Sequence, residues 1–144
     1  MSALREDYEL TFDPPRIDVV AAHAYLARSY WSPGIPFATV QRAVANSFCI
    51  AVLHKGEQVG FARLVTDKAT FAYLADVYIL EGHRGKGLSK AMIAALQTHP
   101  DLQGLRRWLL FTLDAHGLYD QMGWTPLAHP ERGMERLSQD IYQR

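Results

Sequence analysis

Apolar positions along the chain follow two rhythms. Alternation with period two predicts a strand over residues 8–12, and runs rich in apolar, β-branched and aromatic residues predict others over 48–53, 59–65 and 71–80. His54-Lys-Gly-Glu57 reads as a hairpin turn and Thr66-Asp-Lys-Ala69 as a second turn. A period near 3.6 marks the helices. Ile17, Val20, Ala24 and Ala27, with Ala21 alongside, predict a helix over 16–28, entered through Asp13-Pro-Pro with Asp13 as its cap. Phe37, Val40 and Val44 place a second helix over 37–46. Leu88, Met92 and Ala95 or Leu96 place a third, ending near Gln97. The run RRWLLFTL, 106–113, alternates less than the hairpin strands, as a central or parallel strand covered on both faces should. Asp114 is expected to cap a short helix over 115–122 ended by Gly123, and 124–127 and 133–137 read as two final strands. The order β-α-α-β-β-β-α-β-α-β-β predicts one mixed α/β domain over 1–144.

Composition narrows the function classes. Apolar residues make up 49% and aromatics 11% of 144 residues, enough for a packed core and too much for a disordered chain. Fifteen basic and fifteen acidic residues cancel, which argues against a nucleic-acid-binding face. Cys49 stands alone, so neither an internal disulfide nor a thiolate-rich metal site is expected, and Cys49 itself reads as an inert core residue. The histidines lack a ligand spacing such as HExxH, so no catalytic metal is expected. No apolar run reaches the length of a membrane span and MSALREDYEL has no hydrophobic signal region; the expectation is a cytoplasmic protein without a membrane partner.

The chemistry concentrates in DVYILEGHRGKGLSKAMIAAL, residues 76–96. Strand, Gly-rich turn and helix present the unpaired N–H groups of a first helical turn, with the positive end of the peptide dipoles. Arg84 and Lys86 add charge there. Gly85 and Gly87 let a phosphate approach the main chain. Read on residues alone, the alternative is an ordinary surface turn. As a whole, Arg84-Gly-Lys-Gly87-Leu-Ser89 resembles the Arg/Gln-x-x-Gly-x-Gly/Ala signature of the GNAT (GCN5-related N-acetyltransferase) superfamily. Ser89 departs from its last position, but serine is small and its N–H still serves the cradle. A second stretch, Thr112-Leu-Asp-Ala115-His-Gly-Leu118-Tyr119-Asp-Gln-Met-Gly123-Trp124, resembles the family's Asn-x-x-Ala-x-x-Leu-Tyr-x-x-x-Gly-Phe, with Thr112 for Asn and Trp124 for Phe. The resemblance implies a mixed, mostly antiparallel central sheet with splayed central strands and helices on both faces.

It also implies a function: transfer of an acetyl group from acetyl-CoA to a primary amine within a ternary complex, with a small molecule as the favoured acceptor. The alternatives are a protein or peptide N-terminus as acceptor, or a non-catalytic acyl-CoA-binding module. Family members often pair, so a homodimer is expected. By position, main-chain groups of Val77, Tyr78 and Ile79 would hold the pantetheine arm. Arg84, Gly85, Lys86, Gly87, Leu88 and Ser89 would hold the diphosphate, and Thr112 is placed with this cofactor-binding set. Tyr119 stands where the family has its general acid; the alternative is simple packing. His116, one turn back, could share its face. Asp76 is a carboxylate in an apolar strand, costly to bury unless it is bonded or used. It is read as a general base or an amine-binding anion, with an ion pair to Arg63 as the structural alternative. Tyr30 and Trp31, on the loop between the first two helices, are the candidate acceptor contacts, unless Trp31 plugs the core.

Overall fold

The computed structural model describes residues 4, 5 and 7–143. Strands β1 (Tyr8–Thr11), β2 (Phe48–His54), β3 (Glu57–Thr66), β4 (Phe71–Ile79) and β5 (Arg107–Leu110) form one five-stranded sheet in sequence order. The first four run antiparallel and β4 pairs β5 in parallel. Local chemistry explains the pattern. Lys55 and Gly56 both take positive φ, 52° and 86°, the turn whose twist suits a two-residue hairpin between β2 and β3. A parallel partner cannot be reached by a tight turn, so α3 (Leu88–Thr98) supplies the crossover from β4 to β5.

Two apolar layers clasp the sheet. Leu88, Met92, Ile93 and Leu96 of α3 pack on Ile50, Val52, Ala62, Leu64 and Leu74. On the opposite face α1 (Val19–Leu26) and α2 (Phe37–Ala45) lay Ala22, Leu26 and Val40 against Cys49, Ala51, Leu53, Phe61 and Tyr78. β2 is therefore apolar on both faces. The α/β class, the mixed and mostly antiparallel sheet and the helices on both faces agree with the sequence-based expectation.

Several local expectations are corrected. Asp13 does not cap a helix: Pro14–Arg16 form a separate 3-10 turn, and α1 starts only at Val19, where Asp18 accepts the Ala21 N–H at 3.0 Å. The later start rotates the buried stripe to Ala22 and Leu26, leaving Val20 67% exposed. β5 stops at Leu110, and Phe111 and Leu113, expected to be covered, are 71% and 74% exposed. Helix α4 is the short His116–Asp120 segment. Asp114 does not cap it, and no other side chain does; Thr112 Oγ1 accepts the N–H of Ala115, the residue before the helix, at 3.1 Å. The final strands at 124–127 and 133–137 do not form. Every residue from Thr125 to Gln143 is exposed, Pro126 and Pro130 lack ladder donors, and these apolar residues bury too little to hold a strand.

Candidate active site

The parallel pairing of β4 with β5 covers only Phe71↔Arg107 to Leu74↔Leu110. From Ala75 to Ile79, β4 continues with no partner on that side among the described residues, so the strands part and leave one edge of β4 free. The opposite edge is disturbed at the same place. Its register with β3 slips between Phe61↔Tyr78 and Arg63↔Ala75, the signature of a bulge. Asp76 sits in the bulge with φ +55°, the left-handed region that a non-glycine residue rarely occupies. Gly60 lets β4 close in just beyond it: a Cβ there would lie 2.5 Å from Ile79 Cδ1.

Strand β4 runs through a 3-10 turn, Glu81–His83, to the start of α3. Gly85 and Gly87 take φ +78° and +75°, placing Lys86 between two left-handed residues, and Gly87 is the N-cap. No side chain caps this first turn, so its amide hydrogens remain available beside a hollow of ≈ 290 Å³. Ile79, His83, Arg84, Gly85, Gly87, Leu88, Ser89, Lys90 and Leu118 line it. Of the residues the sequence assigned to a diphosphate, all but Lys86 line this hollow. Val77 and Tyr78 do not.

Two assigned groups are engaged elsewhere. Arg84 Nε donates to the Ile79 carbonyl at 2.8 Å and Arg84 Nη2 to Tyr25 Oη at 2.9 Å, so this guanidinium also braces the end of β4 against α1. The Ile79 carbonyl is accordingly taken. Tyr78 points its ring into the α1 face, stacked on Tyr25 at 4.0 Å and 6°; burial pushes its phenol up to about 12.

Asp76 is paired. Arg63 Nε donates to Oδ2 at 2.7 Å and Trp31 Nε1 to Oδ1 at 2.9 Å, while Arg63 Nη1 reaches Ser47 Oγ at 3.2 Å. The Arg63 and Asp76 side chains are 20% and 12% exposed, so this ion pair is largely shielded from water. Trp31 does not plug the core. It is 39% exposed, with Tyr30 set against it edge-on at 5.1 Å, and its indole N–H fixes the α1–α2 loop over the bulge.

Tyr119 belongs to α4, which starts after Ala115 without a side-chain cap and is followed by Gly123 at φ +92°. It is 8% exposed, packs edge-on to Trp124 at 5.8 Å, and its hydroxyl makes no hydrogen bond among the described residues. Burial first, and Tyr30 second, push the phenol up to about 12. Tyr119 lines a second hollow of ≈ 400 Å³, together with Thr112, His116 and the exposed edge of β5. Its neighbour Leu118 lines the first. Thr112 is thus placed away from the diphosphate hollow. Tyr25, Ser47 and His83 were missed by sequence reasoning; each is an isolated polar residue whose partner lies far along the chain.

Among the described residues no helix is long and apolar enough to cross a membrane. The sequence pattern of the Acetyltransferase (GNAT) family matches residues 3–124. A crystal structure of a proposed GNAT-family acetyltransferase from Xanthomonas campestris pv. campestris is 44% identical, with a TM-score of 0.94, covering 99% of this chain and 100% of that one. A proposed acetyltransferase of Gibberella zeae is 33% identical over 138 residues, 80% of this chain and 77% of the relative. A histone acetyltransferase of Glycine max is 33% identical over 92 residues, 56% of this chain and 39% of that protein. A free β4 edge running into an uncapped, glycine-flanked helix start, and a sequence matched over most of its length, have one common reading: the chain belongs to the acetyltransferase (GNAT) family.

Proposed function

We propose that the protein transfers the acetyl group of acetyl-CoA directly to a primary amine, most favourably that of a small molecule. The parting of β4 from β5 after Leu74, in line with the open first turn of α3, carries the reading. A pantetheine arm is a chain of amides, which suits a strand edge with free N–H and C=O groups. A diphosphate suits amide hydrogens at a helix start flanked by Arg84, Lys86 and Lys90. The residues present fit that co-substrate.

The step itself asks little of the protein. The amine nitrogen attacks the thioester carbon, the C–N bond forms and the C–S bond breaks. The departing sulfur takes a proton, and the amine releases one to water. Holding both partners in place supplies much of the rate. The main-chain N–H of Val77, on the edge of β4 turned away from β3, would polarise the carbonyl. Tyr119 is the proton donor for sulfur in this reading, supported by a phenol that burial of the residue holds protonated and whose hydroxyl makes no hydrogen bond among the described residues. Asp76 is read as the fixed anion of the acceptor side, not as the base, because Arg63 and Trp31 already hold both its oxygens. Tyr30 and Trp31 form the acceptor wall. A homodimer is supported by the outer edge of β5, unpaired among the described residues, and by exposed Phe111, Leu113 and Met134; light scattering after size exclusion tests it.

Thiol release from acetyl-CoA across a panel of small amines and peptides with free N-termini tests the activity. Faster release with a small amine supports the proposal. Release only with peptides moves the acceptor class, and coenzyme A binding without release on any amine makes the chain a binding module.

A further inference from the structure

We infer that His83 is an additional phosphate-binding residue of the cofactor cradle, held in its donating tautomer by Tyr8. The inference rests on the acetyl-CoA reading above and adds a side chain that neither motif contains. His83 ends the 3-10 turn before Arg84 and lines the hollow with Gly85, Gly87 and Ser89. Its ring is clamped on two sides. Tyr8 lies edge-on at 5.7 Å and 86°, and the His54 ring stands 4.9 Å away. His54 is itself held by Asp7, Nε2 to Oδ2 at 3.0 Å. The ring therefore has little freedom, although it comes from a surface turn.

The tautomer follows from counting donors. Tyr8 Oη and His83 Nδ1 are 2.7 Å apart, and Tyr8 is 8% exposed, its hydroxyl with no other hydrogen-bond partner among the described residues. If Nδ1 carried the proton, the nearly buried Tyr8 O–H would have no acceptor, which is a costly loss. Tyr8 therefore donates to Nδ1, and the proton of the neutral imidazole sits on Nε2. Nε2 makes no hydrogen bond among the described residues. A clamped ring on the wall of an anion cradle, with one nitrogen satisfied and an N–H left over, is built to donate to a phosphate oxygen. Tyr8 is then a positioning residue that acts through His83, much as outer partners fix the tautomer of metal-bound histidines.

Titration calorimetry of the full chain with coenzyme A tests this, using wild type, His83→Ala, His83→Gln, Tyr8→Phe and the Tyr8→Phe/His83→Ala double variant, with the unliganded melting temperature of each recorded. A hydrogen bond to a charged group predicts that His83→Ala weakens binding about tenfold or more. His83→Gln, which keeps an N–H at similar reach, should recover most of that loss. Tyr8→Phe should weaken binding in the wild-type background and have no effect once His83 is alanine. Unchanged affinity in His83→Ala, or glutamine as poor as alanine, overturns the role of His83. Equal Tyr8→Phe effects in both backgrounds overturn its positioning by Tyr8. If His83→Ala does not fold, the glutamine and phenylalanine variants still decide the matter. Wild type that fails to bind coenzyme A overturns the acetyl-CoA reading itself, an outcome distinct from all of these.

Discussion

Asp76 offers the sharpest test of how the site is held, because its backbone and its side chain can be perturbed separately. Replacing it with Gly, Ala or Asn removes the charge facing Arg63. With both side chains mostly buried, an unpartnered guanidinium costs roughly 2–4 kcal/mol in all three variants. The backbone then separates them. At an ordinary strand position alanine is more stable than glycine by roughly 0.5–1 kcal/mol. At φ +55° alanine meets the left-handed penalty of about 1–2 kcal/mol, which glycine escapes. The usual order should therefore invert, with Asp76→Gly ahead of Asp76→Ala by up to about 1 kcal/mol, or about 4 °C in a domain of this size. Asp76→Asn keeps the shape and tolerates this conformation, so it isolates the charge. Thermal unfolding by circular dichroism at pH 7 reads all three. An alanine variant at least as stable as the glycine variant would refute strain at the bulge. In the amine assay the three variants should raise the acceptor KM more than they lower kcat, because Trp31 loses the anchor that holds its loop.

Further outcomes are expected. Tyr119→Phe should lower kcat by about 100-fold while leaving coenzyme A affinity within about threefold; equal losses in both would remove its acid role. Gly87→Val should abolish coenzyme A binding, since a β-branched residue cannot easily hold φ +75° and would crowd the cradle; unchanged binding by calorimetry counts against the site. Stability should fall in alkali. Burial pushes Cys49 (ordinarily 9.0), Tyr78 and Tyr119 (ordinarily 10.0) each up to about 12. The unfolded chain gives up these protons first, so the stability present below pH 9 is lost progressively towards pH 12. The urea midpoint should be lower at pH 10.5 than at pH 8, and Cys49→Ala should flatten the earliest part of that fall; a flat profile in wild type would contradict the burial.

Much of this protein is written locally. The hairpin at Lys55-Gly56, the apolar β2 and the amphipathic α3 follow from nearest-neighbour chemistry: turn residues that accept positive φ and side chains whose spacing matches one element. The glycines flanking Lys86 announce an open helix start for the same reason. Where neighbours compete, the chain alone misleads. Asp13, read as the cap of the first helix, precedes a separate 3-10 turn over Pro14–Arg16, and the helix takes Asp18 as its cap. At α4 the expected Asp114 cap is absent, and Thr112 bonds only the N–H of Ala115, which precedes the helix.

The site itself needed the tertiary structure. Nothing around residue 76 signals a left-handed residue, because the bulge arises from the mismatch of β4 with β3 and not from local preference. Trp31, Arg63 and Asp76 meet across as many as 45 positions, as do Tyr8 and His83 across 75. Such pairs are chosen by the sheet that brings them together. Residue spacing determined the hairpin, β2 and α3; only the folded sheet decided that 124–127 and 133–137 stay out of it and which distant polar groups share a site, because an unpaired polar group is expensive only once burial has removed its water.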